Sequence, residues 1–211
     1  WVAEDALEAG PDGFELRDES EQEVPAQMHD LWMKRLESVL RSLPEDESRG
    51  NFRSLELAAA LGRQVDRTEW RAACREAGLE PADGLVEELV ERGLVEFESE
   101  MWAFEQSMLV ETLERYARAA GRWQDHHRAC ARMLAGDAVP RTGDTARREA
   151  YHRIEGGEPR AALGPLLEAA EWAGERGAYR REARDLEYRA EVMDEIGLPD
   201  EIRERVENRA R

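Results

Sequence analysis

Between Leu85 and Leu113 the chain passes through a short amphipathic helix, two alternating segments and a second helix, with almost no residues left over for connections. Leu85, Val86, Leu89 and Val90 recur at helical spacing, which leaves Asp83, Glu87, Glu88 and Glu91 facing water. Gly93 ends that helix, as a residue that adopts positive φ at least cost. Val95-Glu96-Phe97 and Trp102-Ala103-Phe104 then alternate as half-buried strands do, with Glu98, Ser99 and Glu100 forming the turn between them. Ser107 is the expected cap of the next helix, which carries Met108, Leu109, Leu113 and Tyr116.

Two shorter helices precede this stretch. Leu55, Ala58, Ala59 and Leu61 mark one that stops at Gly62. Trp70, Ala73, Cys74 and Ala77 mark another, for which Asp66 is the expected cap and Glu69, three residues on, completes a capping-box pattern. Three helices and a β-hairpin over roughly Asn51 to Gly121 predict a winged-helix domain. A long helix leads into it from Ala26 to Leu43, with Met28, Leu31, Trp32, Leu36, Val39, Leu40 and Leu43 on one face and Pro44 closing it. Glu45 to Asn51 reads as an exposed acidic loop. Residues 1–25 are dense in Asp and Glu, and Gly10-Pro11-Asp12-Gly13 before Phe14-Glu15-Leu16-Arg17 suggests a helix end, a turn and a short strand or hairpin.

Beyond Gly121 the pattern is helical throughout. Trp123, Cys130, Ala131 and Leu134 mark one helix, and Gly136 to Asp144 is a polar loop. Thr145 is the expected cap of a helix through Ile154. Leu163, Leu166, Leu167, Ala170 and Ala173 mark the next, Tyr179, Ala183, Leu186, Ala190, Met193 and Ile196 another, and Ile202 and Val206 a last one. Short-linked antiparallel helices with small residues at their contacts predict TPR-like helical repeats over residues 122–211, with Ala150, Ala162, Leu166 and Ala169 near tetratricopeptide positions. The fold class expected is therefore mainly α: a winged helix with a small wing, then TPR-like repeats.

The formal net charge is −18, and such a surface repels phosphate backbones. No apolar run approaches the roughly 18 residues of a membrane span, so a cytoplasmic chain is expected. Cys74 and Cys130 both fall in helical apolar stripes, where a thiol is a small hydrophobe. Lys34 is the one lysine among 30 basic residues; a GC-rich genome accounts for that bias, and a surface adapted to high salt is the competing reading. The start at Trp1, without an initiator Met, is read as the mark of a piece of a longer protein.

Signs of catalysis are lacking in the sequence: there is no Gly-x-x-x-x-Gly-Lys-Ser/Thr loop, no protein-kinase signature and no Gly-x-Ser-x-Gly. His126, His127 and Cys130 lie at helical spacing, but a closed zinc site needs four ligands, so a surface His pair beside a core Cys is expected. Met28-His29-Asp30 matches a tripeptide of nucleotide-switch proteins but sits at the start of a helix, and is read as coincidence. Trp70, Phe97, Trp102 and Phe104 are expected to be core. A winged helix invites DNA binding through its third helix, but that helix offers Asp83, Glu87, Glu88 and Glu91, and the wing Glu96, Glu98, Glu100 and Glu105.

Leu31-Trp32-Met33-Lys34-Arg35-Leu36, Leu57-Ala58-Ala59-Ala60-Leu61-Gly62, Leu89-Val90-Glu91-Arg92-Gly93-Leu94-Val95, and Trp102-Ala103-Phe104 running into Leu109-Val110-Glu111-Thr112-Leu113 occur in this order. His127-Arg128-Ala129-Cys130-Ala131 and Ala150-Tyr151-His152-Arg153 into Gly157-Glu158-Pro159 follow them. The series resembles the region after the nucleotide-binding core in signal-transducing ATPases of the STAND class, which include bacterial AAA-type regulators and ATPases fused to serine/threonine kinases. The resemblance implies that residues 1–25 end the lid region of the preceding ATPase, that residues 26–121 hold the long helix and winged helix, and that residues 122–211 hold the repeats. It also implies a non-catalytic regulatory segment. The winged helix would restrain an upstream nucleotide core, and the repeats would sense a protein partner or neighbouring subunit. ATP or ADP would belong to the parent protein and no cofactor to this segment. The family often has Phe-x-His at the start of the last winged-helix helix; Phe104-Glu105-Gln106 stands here, so Gln106 is the nucleotide-facing position by resemblance. A neutral amide there can hydrogen-bond but cannot become a cation. The alternatives are a winged-helix transcriptional regulator and a free-standing helical scaffold.

Overall fold

The structure, a computed structural model, describes residues 7–10, 13–16, 26–42 and 48–199. They form a mainly helical protein with a small three-stranded antiparallel sheet and a separate two-stranded ribbon. The ribbon pairs β1 (Leu7–Gly10) with β2 (Gly13–Leu16), in the register Leu7↔Leu16 to Gly10↔Gly13. Leu43 and Pro44, expected to close the long helix, lie outside the described residues, as does the last helix expected through Ile202 and Val206.

Helix α1 (Ala26–Leu40) buries Leu36, Val39 and Leu40 of the expected face, with Trp32 packed against the core, but the face is turned toward His29 and Met33. His29, Met33, Leu36 and Leu40 face inward, spaced four, three and four residues apart, while Leu31 is exposed. The physical reason is His29, whose Nδ1 lies 2.7 Å from the Thr112 hydroxyl and so fits an apolar face with its polar atom satisfied. Helix α2 (Ser48–Leu61) begins inside the expected acidic loop. Asn51 is fully buried there, its Oδ1 accepting from the Ala82 amide at 2.7 Å.

The sheet has three strands where only a hairpin was expected. β3 (Gln64–Asp66) precedes α3 (Arg67–Glu76) and pairs with β5 (Met101–Phe104), which pairs on its other side with β4 (Val95–Glu98). Val65 faces Trp102 across this ladder and is buried, as period-two alternation requires. Helix α4 (Leu85–Glu91) and helix α5 (Ser107–Ala119) flank the hairpin. Trp70, Trp102 and Phe104 are core, but Phe97 is 43% exposed. It lies opposite Trp102 on β4, where Arg67 reaches over its ring at 5.8 Å.

Helices α6 (Trp123–Ala135), α7 (Gly143–Glu155), α8 (Pro159–Glu175) and α9 (Tyr179–Glu195) complete the described chain. α7 starts before the expected cap. Thr142 is its N-cap and Thr145 the third helical residue, each hydroxyl bonding the other's amide. Gly143 is required by close approach, since a Cβ there would lie 2.6 Å from Trp172 Cδ1. One positive-φ glycine turn ends six of the described helices, α3 to α5 at Gly78, Gly93 and Gly121 and α7 to α9 at Gly157, Gly177 and Gly197. After each, the next amide reaches back across the helix end, as from Glu158 to Arg153 O, from Ala178 to Ala173 O and from Leu198 to Met193 O, at 2.7 to 3.0 Å.

One apolar core runs through α1 to α6 and a second through α7 to α9, with Leu198 closing it. On α9 Met193 is buried and Ile196 packs on the core as expected, but further up the helix Asp185, Arg189 and Val192 face inward while Tyr179 and Leu186 of the expected stripe are exposed. Partners explain the inversion: Arg147 clasps Asp185 at 2.8 and 2.5 Å, and Arg189 donates to Leu163 O at 3.0 Å. No described helix is long and apolar enough to cross a membrane.

Candidate functional site

Gln106 sits at the N-cap of α5 with extended backbone, φ −116° and ψ 128°, and is exposed. Neither it nor Ser107 caps the helix, whose first residue is Ser107 itself and whose start has no side-chain hydrogen bond. The joint is held from outside, where Arg63 donates to Phe104 O at 3.2 Å and to Glu105 O at 3.3 Å. The Gln106 side chain has no hydrogen-bond partner among the described residues.

Beside that joint the outer face of α4 is acidic. Glu87 and Glu91 are exposed; Arg67 and Arg71 of α3 pair with Glu87 at 2.9 Å and with Asp83 at 3.5 Å, and Arg92, at the end of α4 itself, pairs with Glu88 at 3.1 Å. The wing residues Glu96, Glu98 and Glu100 are exposed as well. A cavity of about 700 Å³ lies between α3 and the loop leading to α4, with Arg67, Arg71 and Arg75 opposed by Glu80, Asp83 and Glu100.

Polar chemistry in the interior is concentrated on α2, α6 and α7. Glu56 is fully buried in the run Leu55 to Ala60 and is gripped by the Arg122 fork at 2.9 and 2.6 Å, with His126 Nε2 3.0 Å away. Burial alone would raise its pKa, but the hydrogen bonds from His126 and Arg122 prevail and hold it below the ordinary carboxylate value. Glu149 is gripped in the same way by Arg141 and Arg153, both at 2.6 Å, and Arg141 also pairs with Glu168. Glu69 completes no capping box. It receives Arg148 of α7 at 3.0 Å, which ties α3 to the second core, while Asp66 caps α3 through the Thr68 and Glu69 amides at 2.8 and 2.9 Å.

His126 and His127, expected at the surface, are both buried. His127 Nδ1 lies 3.0 Å from His152 Nδ1, so one neutral ring donates to the other, and Trp123 and Tyr151 pack edge-on against His127 at 4.8 and 5.6 Å. Burial pushes His127 down to about 4 and His152 down to about 3, with nearby cations adding to the effect. Burial raises Cys74 to about 12 and raises Cys130 too, so neither thiol is a ready nucleophile. Among the described residues no three His, Cys, Asp or Glu side chains gather as metal ligands.

The sequence offered one signal for the missed residues: a lone carboxylate in the apolar run Leu55 to Ala60 must find a cation or leave the core. Comparison of the chain with protein-family models, with curated proteins and with solved structures gives no match.

Proposed function

We propose that this chain is a non-catalytic regulatory and protein-docking segment of a larger signal-transducing ATPase. On this reading α2, α3 and α4 with the sheet β3-β5-β4 are a winged helix, and α7 to α9, short-linked and sharing one core, begin a TPR-like array. The observation that carries the proposal is the acidic outer face of α4 and of the wing, with Glu87, Glu91, Glu96, Glu98 and Glu100 exposed. Those are the surfaces that a DNA-reading winged helix presents to the groove and the phosphates. With carboxylates there, the surface suits a basic protein face. The restraint on an upstream nucleotide core, and the place of Gln106 near its nucleotide, rest on the family resemblance described above.

The test is to read the frame encoding this chain upstream of Trp1 for a phosphate-cradling Gly-x-x-x-x-Gly-Lys-Ser/Thr loop. That chain is then purified with and without residues 26–121. Release of a fluorescent ADP analogue is expected to be faster from the shortened chain. A frame without such a loop, or equal release from both chains, defeats the proposal. Turnover of ATP by residues 1–211 alone, abolished by a substitution within them, would remove the non-catalytic part.

A further inference from the structure

We infer that the cleft between α2, α3 and α6 binds a phosphate-type dianion carried by a small molecule. The cavity has a volume of about 300 Å³, at the lower end of the range for small-ligand pockets, and four arginines, Arg53, Arg122, Arg128 and Arg132, line it together with His126. Such a density of guanidinium is unexpected on a chain of net charge −18. The forks of arginine match phosphate oxygens in pairs, which a point charge cannot do.

The four differ in how firmly they are held. Arg122 and His126 are fixed from behind by the buried Glu56, so their direction does not depend on a ligand. Arg132 meets Glu76 at 3.3 Å with both side chains about half exposed, and Arg128 meets an exposed Asp125 at 2.8 Å. Exposed pairs of this kind contribute little, so an anion competes with them on easy terms. Arg53 is exposed and has no side-chain partner among the described residues. Glu56, Glu76 and Asp125 pair with Arg122, Arg132 and Arg128, Glu158 also approaches Arg128 at 4.0 Å while pairing with Arg153, and Arg53 is left as the cation of the cleft that no carboxylate meets among the described residues. α6 also starts here, and its N-terminal end lacks a side-chain cap, so its first amides add to the positive field.

The larger cavity beside α3 serves as the contrast. Arg67, Arg71 and Arg75 face three carboxylates there, and no charge is left over. This inference is independent of the ATPase reading, since it uses α2, α3 and α6 alone.

Inorganic phosphate is the probe, titrated into the purified chain at fixed ionic strength, with chloride and acetate as controls and the heat of binding and the melting temperature as readouts. A saturable response to phosphate and none to acetate is expected. Arg53→Gln and Arg132→Gln, both at exposed positions, should each weaken binding about tenfold, as loss of a charge-assisted contact does, and Arg53→Lys should restore part of it. Arg71→Gln, in the other cavity, should leave binding unchanged. Glycerol 3-phosphate should bind at least as well as a phosphoserine peptide. A response that never saturates, binding by Arg53→Gln and Arg132→Gln as tight as that of the unsubstituted chain, or a clear preference for the peptide overturns the inference.

Discussion

Two tryptophans of the first core differ in a single atom's environment, and that difference has measurable consequences. Trp70 and Trp102 meet edge-on at 5.5 Å, and both are buried. Trp70 Nε1 donates to Ser54 O at 2.8 Å, whereas Trp102 Nε1 has no partner among the described residues. Replacing Trp70 by Phe therefore removes a made hydrogen bond to a carbonyl that keeps its helical partner, at about 0.5–1.5 kcal/mol beyond the lost contacts, while Trp102→Phe removes an N–H that was already unpaired. Urea unfolding should show Trp70→Phe to be the more damaging substitution, and equal losses would refute the argument. Trp102→Ala should cost about 3–5 kcal/mol, a large part of the roughly 5–15 kcal/mol that holds a domain together. If that variant keeps its stability and loses association with a partner, Trp102 is an interface anchor instead of a core residue. Its burial was legible from alternation with Phe104. The exposure of Phe97 was not, because it depends on how far the helices extend beneath the end of the hairpin.

The elements were legible where one local signal governs. Asp66 caps α3 as its spacing with the helix predicts, and Asp66→Ala should cost about 1 kcal/mol in a thermal melt, with a change near zero telling against the cap. They were illegible where a distant partner decides. β3 is three residues long and exists because β5 accepts it; His29, Glu56, Asp185 and Arg189 lie inward because Thr112, Arg122, Arg147 and the Leu163 carbonyl meet them there. His127 of α6 and His152 of α7 belong to the same class, and they make the packing of these helices sensitive to acid. Unfolded, each histidine takes up a proton near pH 6.5. Folded, burial holds them to about 4 and about 3. Below pH 6.5 the unfolded chain thus binds protons that the folded chain refuses, and stability falls by about 1.4 kcal/mol per pH unit for each residue until its folded pKa is reached. Glu56, depressed below the ordinary carboxylate value, adds a loss of the same sign at still lower pH. Melting temperatures between pH 7 and pH 4 should fall steeply, and the double substitution His127→Phe and His152→Leu should flatten that limb. An unchanged limb in the double variant would assign the acid sensitivity elsewhere.

At the scale of the whole molecule, charge divides inside from outside. The interior uses arginine to neutralise buried carboxylates, Arg122 on Glu56 within the first core and Arg141 and Arg153 on Glu149 and Arg147 on Asp185 within the second, and Arg148 pairs with the half-buried Glu69 between them. Cations spent in this way are not available to a nucleic acid, and the outer surface keeps the excess of acid that gives a net charge of −18. Duplex DNA carries a negative charge about every 1.7 Å along its axis, and proteins that bind it do so by releasing counterions from phosphates with free lysines and arginines. The arginine stripe nearest α4 illustrates the shortage. Arg67 is paired with Glu87, Arg71 leans on Asp83, and only Arg75 of the three has no described partner. One uncommitted cation beside an acidic helix cannot offset the repulsion. Fluorescence anisotropy with a labelled duplex at micromolar protein and near-physiological salt should therefore detect no binding. A salt-dependent rise in anisotropy that is lost in a triple Arg67→Gln, Arg71→Gln and Arg75→Gln variant would show that α3 approaches phosphates in spite of α4, and the transcriptional-regulator alternative would then replace the ATPase reading.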